Sequence, residues 1–246
     1  MSDDVMDPKA INRALSRDLE GVAFQAPITH AYDPLKYAWE PFEAYLERFG
    51  RKRPREVLVV GMNPGPWGMA QNGIPFGAMN YVRRWLGLEG QVDQPERVHD
   101  KRPVMGFECE RNEVSGSRLW GWAEERFGEA EAFFERFFVH NFCPLLILDE
   151  DGKNRTPPKL RKAEREQVFP PCQQALRRLV AYFEPSYVVG VGNYAERQVK
   201  ASLDGVEGSY EIGKVLHPSP ASPKANRGWA PQAEEQLREL GIKLPR

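Results

Sequence analysis

The segment best suited to bind a ligand or to support a reaction is a stretch of seventeen residues, 61–77, that contains five glycines and three prolines. Glycine allows a backbone to approach a ligand closely, and proline holds the chain in one direction. A simple turn between two elements needs far fewer residues. The stretch, which includes Asn63 and Phe76, therefore predicts a rigid, backbone-exposing surface that binds a small molecule or a nucleobase.

Two windows of the sequence contain no acidic residue, 57–88 and 212–233. Their basic residues are Arg83 and Arg84 in the first window, and Lys214, His217, Lys224 and Arg227 in the second. Because the whole chain has a net charge of −1, these windows are the places that a polyanion can approach. Both follow predicted strands, so they predict a rim that faces phosphates.

Other patterns suggest different chemistry and are interpreted as structural. Residues 190–195 (GVGNYA) fit a dinucleotide-binding fingerprint, but only about fifty residues follow, too few for the fold that this fingerprint usually opens. We interpret them as a tight turn from a strand into a helix. Cys143 lies near His140 without an orienting acid, which indicates a buried structural cysteine. The four histidines lack metal-ligand spacing, and Ser219 and Ser222 lie outside any G-x-S-x-G motif.

The elements that must position these segments alternate between strands and helices. Apolar runs predict strands over 56–61, 137–140, 186–190 and 210–216. Apolar spacing predicts helices over 11–19, 37–49, 79–86, 118–127, 129–136, 161–183, 194–203 and 231–240. This order predicts a parallel sheet covered on both sides, with ligands at the carboxyl ends of its strands. Two long connections, 89–116 and 149–160, interrupt the pattern without marking a boundary, so we predict one domain over residues 1–246.

Composition excludes several classes of protein. No stretch approaches the ~20 consecutive apolar residues of a membrane span, and the acidic start MSDDVMDPK is no secretory signal. Three isolated cysteines exclude a disulfide framework and a four-cysteine metal site. We expect a cytosolic protein without cofactor or metal, whose first residues, roughly six, are disordered.

Two long motifs resemble the signatures of the single-strand-selective monofunctional uracil-DNA glycosylases, a branch of the uracil-DNA glycosylase superfamily. They are GMNPGPWGMAQNGIPFG (61–77) and HPSPASPKANRGW (217–229). Shorter stretches support the resemblance in the family's order: YAWEPFEAY (37–45), KRPVMGFEC (101–109), EVSGSRLWGW (113–122), VHNFCPLL (139–146) and VVGVGNYAE (188–196). The resemblance covers most of the chain from about residue 21 to 240. It implies a three-layer α/β/α fold with a short four-stranded parallel sheet.

The resemblance also implies roles for individual residues. Asn63 matches the residue that orients the attacking water, and His217 matches the donor to uracil O2. Asn141 matches the residue that reads the pyrimidine edge, and Phe76 matches the aromatic ring that stacks on the flipped base. The remaining substrate-binding residues are Met62, Gly65 and Met69, the last two forming the wall beside uracil C5. The segment that wedges into the DNA stack contributes Ser219, Pro220, Ser222, Lys224, Asn226, Arg227 and Gly228.

The implied activity is hydrolysis of the N-glycosidic bond of uracil, and of 5-hydroxymethyluracil, in single- and double-stranded DNA. The base is flipped out, and base excision repair begins without strand cleavage. A xanthine- or hypoxanthine-directed glycosylase on the same scaffold is the alternative, and a non-catalytic single-strand-binding protein is another. Trp67 stands where animal members are expected to have phenylalanine. In the wedge segment, Ala221 and Ser222 stand where a longer polar or basic pair is expected. The compact chain without long tails is typical of a bacterial member, which is expected to act as a monomer on nucleoid DNA in the cytoplasm.

Overall fold

The computed structural model describes residues 5–245. The expected disorder of the first residues falls mainly on positions 1–4, which lie outside the described residues. The strands are β1 Ile28–Tyr32, β2 Val57–Gly61, β3 Phe137–Asn141, β4 Leu146–Asp149, β5 Tyr187–Val191 and β6 Glu211–Val215. The helices are α1 Pro8–Asp18, α2 Pro34–Tyr37, α3 Trp39–Phe49, α4 Met69–Asn72, α5 Met79–Arg84, α6 Val114–Phe127, α7 Ala130–Phe134, α8 Lys162–Phe183, α9 Asn193–Leu203 and α10 Trp229–Glu239.

Four strands form a parallel sheet in the order β3-β2-β5-β6. All five residues of β2 and all five of β3 are buried, as expected for strands covered by helices on both faces. The predicted three-layer α/β/α class is therefore confirmed. Because the strands are parallel, the loops that follow β2, β3, β5 and β6 all leave from one edge of the sheet.

A second, two-stranded sheet was not predicted. Strand β1 pairs with β4 in antiparallel register, although the two strands are far apart in the sequence. Strand β1 is short and carries the polar residues Thr29 and His30, so its local pattern does not distinguish it from a loop. Its strand conformation depends on a partner that only the folded chain brings close.

Several helix boundaries also differ from those predicted. Helix α6 begins at Val114 rather than at 118, because the Glu113 side chain accepts hydrogen bonds from the backbone N–H groups of Ser115 and Gly116. Such a cap satisfies donors that the first turn leaves unpaired. The glycine-rich stretch 61–77 contains the short helix α4. The predicted helix over 37–49 begins at Trp39. No helix within residues 5–245 combines the length and apolar character needed to cross a membrane.

The pH dependence of stability is expected to reflect His140, a fully buried imidazole in β3. Its Nε2 lies 2.8 Å from Asn12 Oδ1, and burial lowers its pKa to about 4. Below pH 6.5 the His140 imidazole takes up a proton in the unfolded chain, whereas in the folded chain it does so only near pH 4. We therefore expect the free energy of unfolding to fall by about 3 kcal/mol over this range on account of His140. Urea unfolding of the wild type and of His140→Gln at several pH values measures it, and an equally steep fall in the variant would contradict the assignment.

Candidate active site

All seven residues that the sequence predicted to bind or act on the base line one cavity at the carboxyl edge of the parallel sheet. The cavity has a volume of about 130 Å³, which is smaller than the ~300–1,000 Å³ pockets that hold drug-sized ligands. Its predicted lining residues are Met62, Asn63, Gly65, Met69, Phe76, Asn141 and His217. They come from the loops or strand ends of β2, β3 and β6, and the cavity has room for one small ring.

The Asn63 amide is held with its oxygen unpaired. Its Nδ2 lies 3.3 Å from the Leu145 carbonyl oxygen and 3.4 Å from Asn154 Oδ1. Its Oδ1 is buried and accepts no hydrogen bond from the described protein atoms. A buried acceptor without a partner is costly, so a donor that reaches this oxygen would be bound favourably. The water-aligning role of Asn63 stays a prediction.

The His217 side chain is oriented by the turn that follows β6. Its Nδ1 accepts the backbone N–H of Ser219 at 3.0 Å, which leaves the proton of a neutral imidazole on Nε2. Burial lowers the pKa of His217 below its usual value, so the neutral form dominates at neutral pH. The nearby Lys214 pairs with Glu196 at 3.2 Å. His217 is therefore a neutral N–H donor.

The Asn141 amide is held by a neighbouring thioether. Asn141 ends β3 and is 4% exposed, and its Nδ2 donates to Met69 Sδ at 3.1 Å. Because a thioether sulfur can only accept, this contact places the amide nitrogen toward Met69. Gly61 provides the space, since a Cβ at this position would lie 2.2 Å from Asn141 Oδ1 and 2.7 Å from Phe76 Cε2. Thus the last residue of β2 has to be glycine for both side chains to line the cavity.

Phe76 reaches the cavity through a strained backbone. Its φ of 54° lies in the left-handed region, which costs a non-glycine residue about 1–3 kcal/mol. Its carbonyl oxygen accepts the Trp120 indole N–H at 3.0 Å, and a Cβ on Gly116 would lie only 1.9 Å from the same oxygen. Packing against α6 therefore maintains the strain that directs this ring.

The sequence reasoning missed five further lining residues: Pro64, Glu113, Ser115, Asn154 and Thr156. Asn154 donates to the Pro64 carbonyl at 3.1 Å, which fixes its amide so that its Oδ1 faces Asn63. Burial raises the pKa of the Glu113 carboxyl, against the opposing effect of the backbone N–H groups that it caps. Pro64 belongs to the glycine-rich stretch 61–77, whereas the other four residues lie in the two long connections 89–116 and 149–160, and the length of those connections was the only indication of them.

The segment 219–228 forms an exposed loop beside His217. Its exposed predicted residues are Pro220, Lys224, Asn226, Arg227 and Gly228. The Ser219 and Ser222 hydroxyl oxygens accept backbone N–H groups of the same loop at 3.1 and 3.3 Å, and Asn226 Nδ2 donates to a loop carbonyl at 2.9 Å. These three side chains shape the loop, while Lys224 and Arg227 make no ion pair with the described residues.

The prediction that Arg83 and Arg84 face phosphates is wrong. Arg83 Nε lies 2.7 Å from Glu89 Oε1, and Arg84 forms two hydrogen bonds to the Glu124 carboxylate. Glu124 belongs to α6 and is brought to α5 only by the fold. A window without acidic residues in the sequence is therefore no free cationic surface once the chain is folded.

Two of the remaining patterns, residues 190–195 and Cys143, have the structural surroundings that the sequence analysis predicted. Gly192 connects β5 directly to α9, so residues 190–195 form a tight strand-to-helix turn. Its positive φ of 86° requires glycine, and a Cβ there would lie 3.0 Å from the Cβ of His217. Cys143 is completely buried, which fits a structural cysteine.

Comparisons with known proteins identify the family of this chain. The family model for the uracil DNA glycosylase superfamily matches residues 48–239. Three curated relatives, from rat, mouse and cattle, are named single-strand selective monofunctional uracil-DNA glycosylases. Each is 46% identical over 228 residues, which are 93% of this chain and 82%, 81% and 84% of the respective relatives.

A solved structure supports the fold independently. The crystal structure of wild-type Pedobacter heparinus SMUG2 has a TM-score of 0.66 and 16% sequence identity, covering 94% of this chain and 97% of that one. At this identity the likeness concerns the fold alone. The family model and the curated relatives show that the chain belongs to the uracil DNA glycosylase superfamily, among the single-strand selective monofunctional uracil-DNA glycosylases.

Proposed function

We propose that this protein is a monofunctional uracil-DNA glycosylase that hydrolyses the bond between uracil N1 and the deoxyribose C1′. The observation that carries the proposal is that Asn63 and the His217 imidazole line the same cavity, and that the buried Asn63 Oδ1 has no hydrogen-bond partner among the described residues. As the bond breaks, the sugar becomes cationic and the leaving base carries negative charge on O2. A water aligned by Asn63 and a donor from His217 act on these two charges.

The shape of the cavity supports uracil as the base. Phe76 offers a ring for stacking, and Asn141 offers one amide that can donate to O4 and accept from N3–H. The contact with Met69 keeps the amide from rotating into the arrangement that cytosine would require. A volume of about 130 Å³ favours a single pyrimidine ring over the two rings of xanthine or hypoxanthine.

A base that is stacked within a duplex cannot enter this cavity. The base must be flipped out of the DNA, with Lys224 and Arg227 meeting phosphates and residues 219–228 entering the gap. The glycine at position 65 leaves space beside uracil C5, which supports 5-hydroxymethyluracil as a second substrate in single- and double-stranded DNA.

The protein would act as a single-domain monomer, because one base is excised at a time. We place it in a bacterial cytoplasm, where it would initiate base excision repair on nucleoid DNA.

A lesion panel tests this proposal. Oligonucleotides that each contain one uracil, 5-hydroxymethyluracil, thymine, xanthine or hypoxanthine are incubated with the protein in EDTA. We expect release of uracil and 5-hydroxymethyluracil, and no covalent adduct on addition of borohydride because the cavity offers no lysine. Release of the purines alone would establish the alternative substrate class. Binding without release of any base would indicate a non-catalytic protein.

Asn141→Ala is expected to lower kcat/KM for uracil by about 100-fold, because two buried hydrogen bonds of ~1–2 kcal/mol each are lost. The preference for uracil over cytosine should narrow at the same time. Single-turnover assays on matched uracil and cytosine oligonucleotides measure both, with Gln174→Ala, an exposed amide on α8, as the control. An unchanged preference would contradict the edge-reading role of Asn141.

A further inference from the structure

A tryptophan with two stacked arginines lies beside the cavity. The guanidinium carbon of Arg111 is 4.4 Å from the centroid of the Trp67 ring, and that of Arg102 is 5.4 Å from it. Both distances lie within the range of cation–π attraction. We call these three side chains the arginine–tryptophan cluster. The indole holds the two long cationic side chains in place and so reduces the entropy that they lose on binding an anion.

Chain connectivity places the cluster at the rim of the cavity. Trp67 lies between Gly65 and Met69, which both line the cavity, and Arg111 precedes the lining residue Glu113 by two positions. Arg111 also lines a neighbouring groove of about 630 Å³. A chain that leaves the cavity toward this groove passes Arg111.

The charges of the cluster are not neutralised. Within residues 5–245, neither Arg102 nor Arg111 makes an ion pair, whereas Arg83 and Arg84 both do. Arg102 is held instead by carbonyl oxygens, with its Nε donating to Gly152 at 2.8 Å. Carbonyl oxygens orient a guanidinium without cancelling its charge. A fixed, uncompensated guanidinium pair beside a cavity is suited to bind a phosphodiester.

We propose that the arginine–tryptophan cluster binds the DNA backbone next to the flipped uracil, as a second anchor distinct from residues 219–228. This inference rests on the proposed function. The arginines of the cluster belong to the connection that precedes α6, while residues 219–228 follow β6 and are joined to α6 by Arg118, which donates to Asn226 Oδ1 at 2.8 Å. The two anchors therefore come from separate segments of the chain, and each can hold a different phosphate of the strand that carries the flipped base.

The experiment measures binding to a single-stranded oligonucleotide that carries one tetrahydrofuran abasic analogue, at several salt concentrations. Each phosphate contact on a single strand contributes about 0.7 to the slope of log affinity against log salt. We expect Arg111→Gln to reduce this slope by about 0.7 and to weaken binding several-fold at low salt. Trp67→Leu should weaken binding in the same direction, because it removes the surface that holds both arginines.

Arg53→Gln is the matched control. Arg53 also stacks on an aromatic ring, 5.1 Å from the centroid of Tyr182, but it precedes β2 and so lies at the other end of the sheet. Glu110→Gln, which removes an acid from the groove that Arg111 lines, should strengthen binding. An Arg111→Gln slope equal to the wild type, or equal losses in Arg111→Gln and Arg53→Gln, would overturn the proposal.

The readout separates this proposal from the glycosylase activity. Abasic-site binding needs no catalysis, so the slope can be measured whether or not uracil is released. In uracil release, Arg111→Gln should raise KM more than it lowers kcat, because Arg111 is proposed to bind the backbone and not the base. Wild-type protein that releases no uracil would refute the proposed function, and the Arg111 slope would still decide the role of the cluster.

Discussion

Asn63→Ala is expected to lower kcat for uracil release by at least about 100-fold, the scale on which misplacing one reacting group acts. Asn63 lines the cavity and its buried Oδ1 has no partner among the described protein atoms, so we expect this oxygen to accept the hydrogen bond of the attacking water once substrate is bound. An amide cannot take up a proton at neutral pH, and it therefore acts by alignment alone. Single-turnover kinetics on a uracil oligonucleotide measure the loss, and release at the wild-type rate would refute the role.

Two further variants sharpen this result. Asn154→Ala leaves the Asn63 side chain in place but removes an acceptor, 3.4 Å away, that fixes its orientation. It should lower kcat to a smaller extent and leave KM nearly unchanged. Gln174→Ala, on the exposed surface of α8, should change neither. Binding of all three variants to the abasic analogue is expected to match the wild type, since Asn63 does not hold the DNA.

His217→Leu is expected to lower kcat by about 10²–10³-fold, the usual loss when one donor to a developing oxyanion is removed. Leucine fills a similar volume but cannot donate to uracil O2. His217→Gln, which retains an N–H donor, should recover part of the rate. Recovery by glutamine separates donation of a hydrogen bond from a purely structural contribution, and equal rates for the two variants would contradict the assignment.

The pH profile provides an independent test of His217. Burial lowers its pKa below the ordinary value of 6.5, so the neutral imidazole predominates between pH 8 and 6.5. We expect kcat of the wild type to vary little across this range. A rate that rises as the pH falls through this range, and a rise that is absent from His217→Gln, would show that the imidazolium is the acting form.

The cavity residues were predictable because the chemistry of this fold lies where parallel strands end. A buried strand ending in Gly61, followed by Asn63, is visible in one short segment, and so is His217 after β6. By contrast, Glu113 and Asn154 come from long connections whose path no local pattern describes. Strand β1 was missed for the same reason, since its pairing with β4 is invisible within either segment.

The charged residues show most clearly the difference between what a short segment predicts and what the fold determines. Arg83 and Arg84 lie in a window without acids, yet Arg83 pairs with Glu89 in the loop after α5, and Arg84 pairs with Glu124 of α6. Arg102 and Arg111 lie in a stretch rich in acids, yet neither makes an ion pair with the described residues. Net charge along a window counts neighbours in sequence, whereas an ion pair needs two atoms within about 4 Å in space.

The amino-acid sequence by itself determined the layered α/β fold and the edge of the sheet that carries the cavity, and its resemblance to a known family indicated the seven side chains that line it. The fold and the edge depend on apolar runs and on glycine conformations, which act over a few residues. Only the tertiary structure decided the orientation of the Asn63 and Asn141 amides, the tautomer of His217 and the arginines that remain unpaired. Each of these depends on hydrogen bonds or charges from distant segments, and such short-range forces act only after folding has brought the segments into contact.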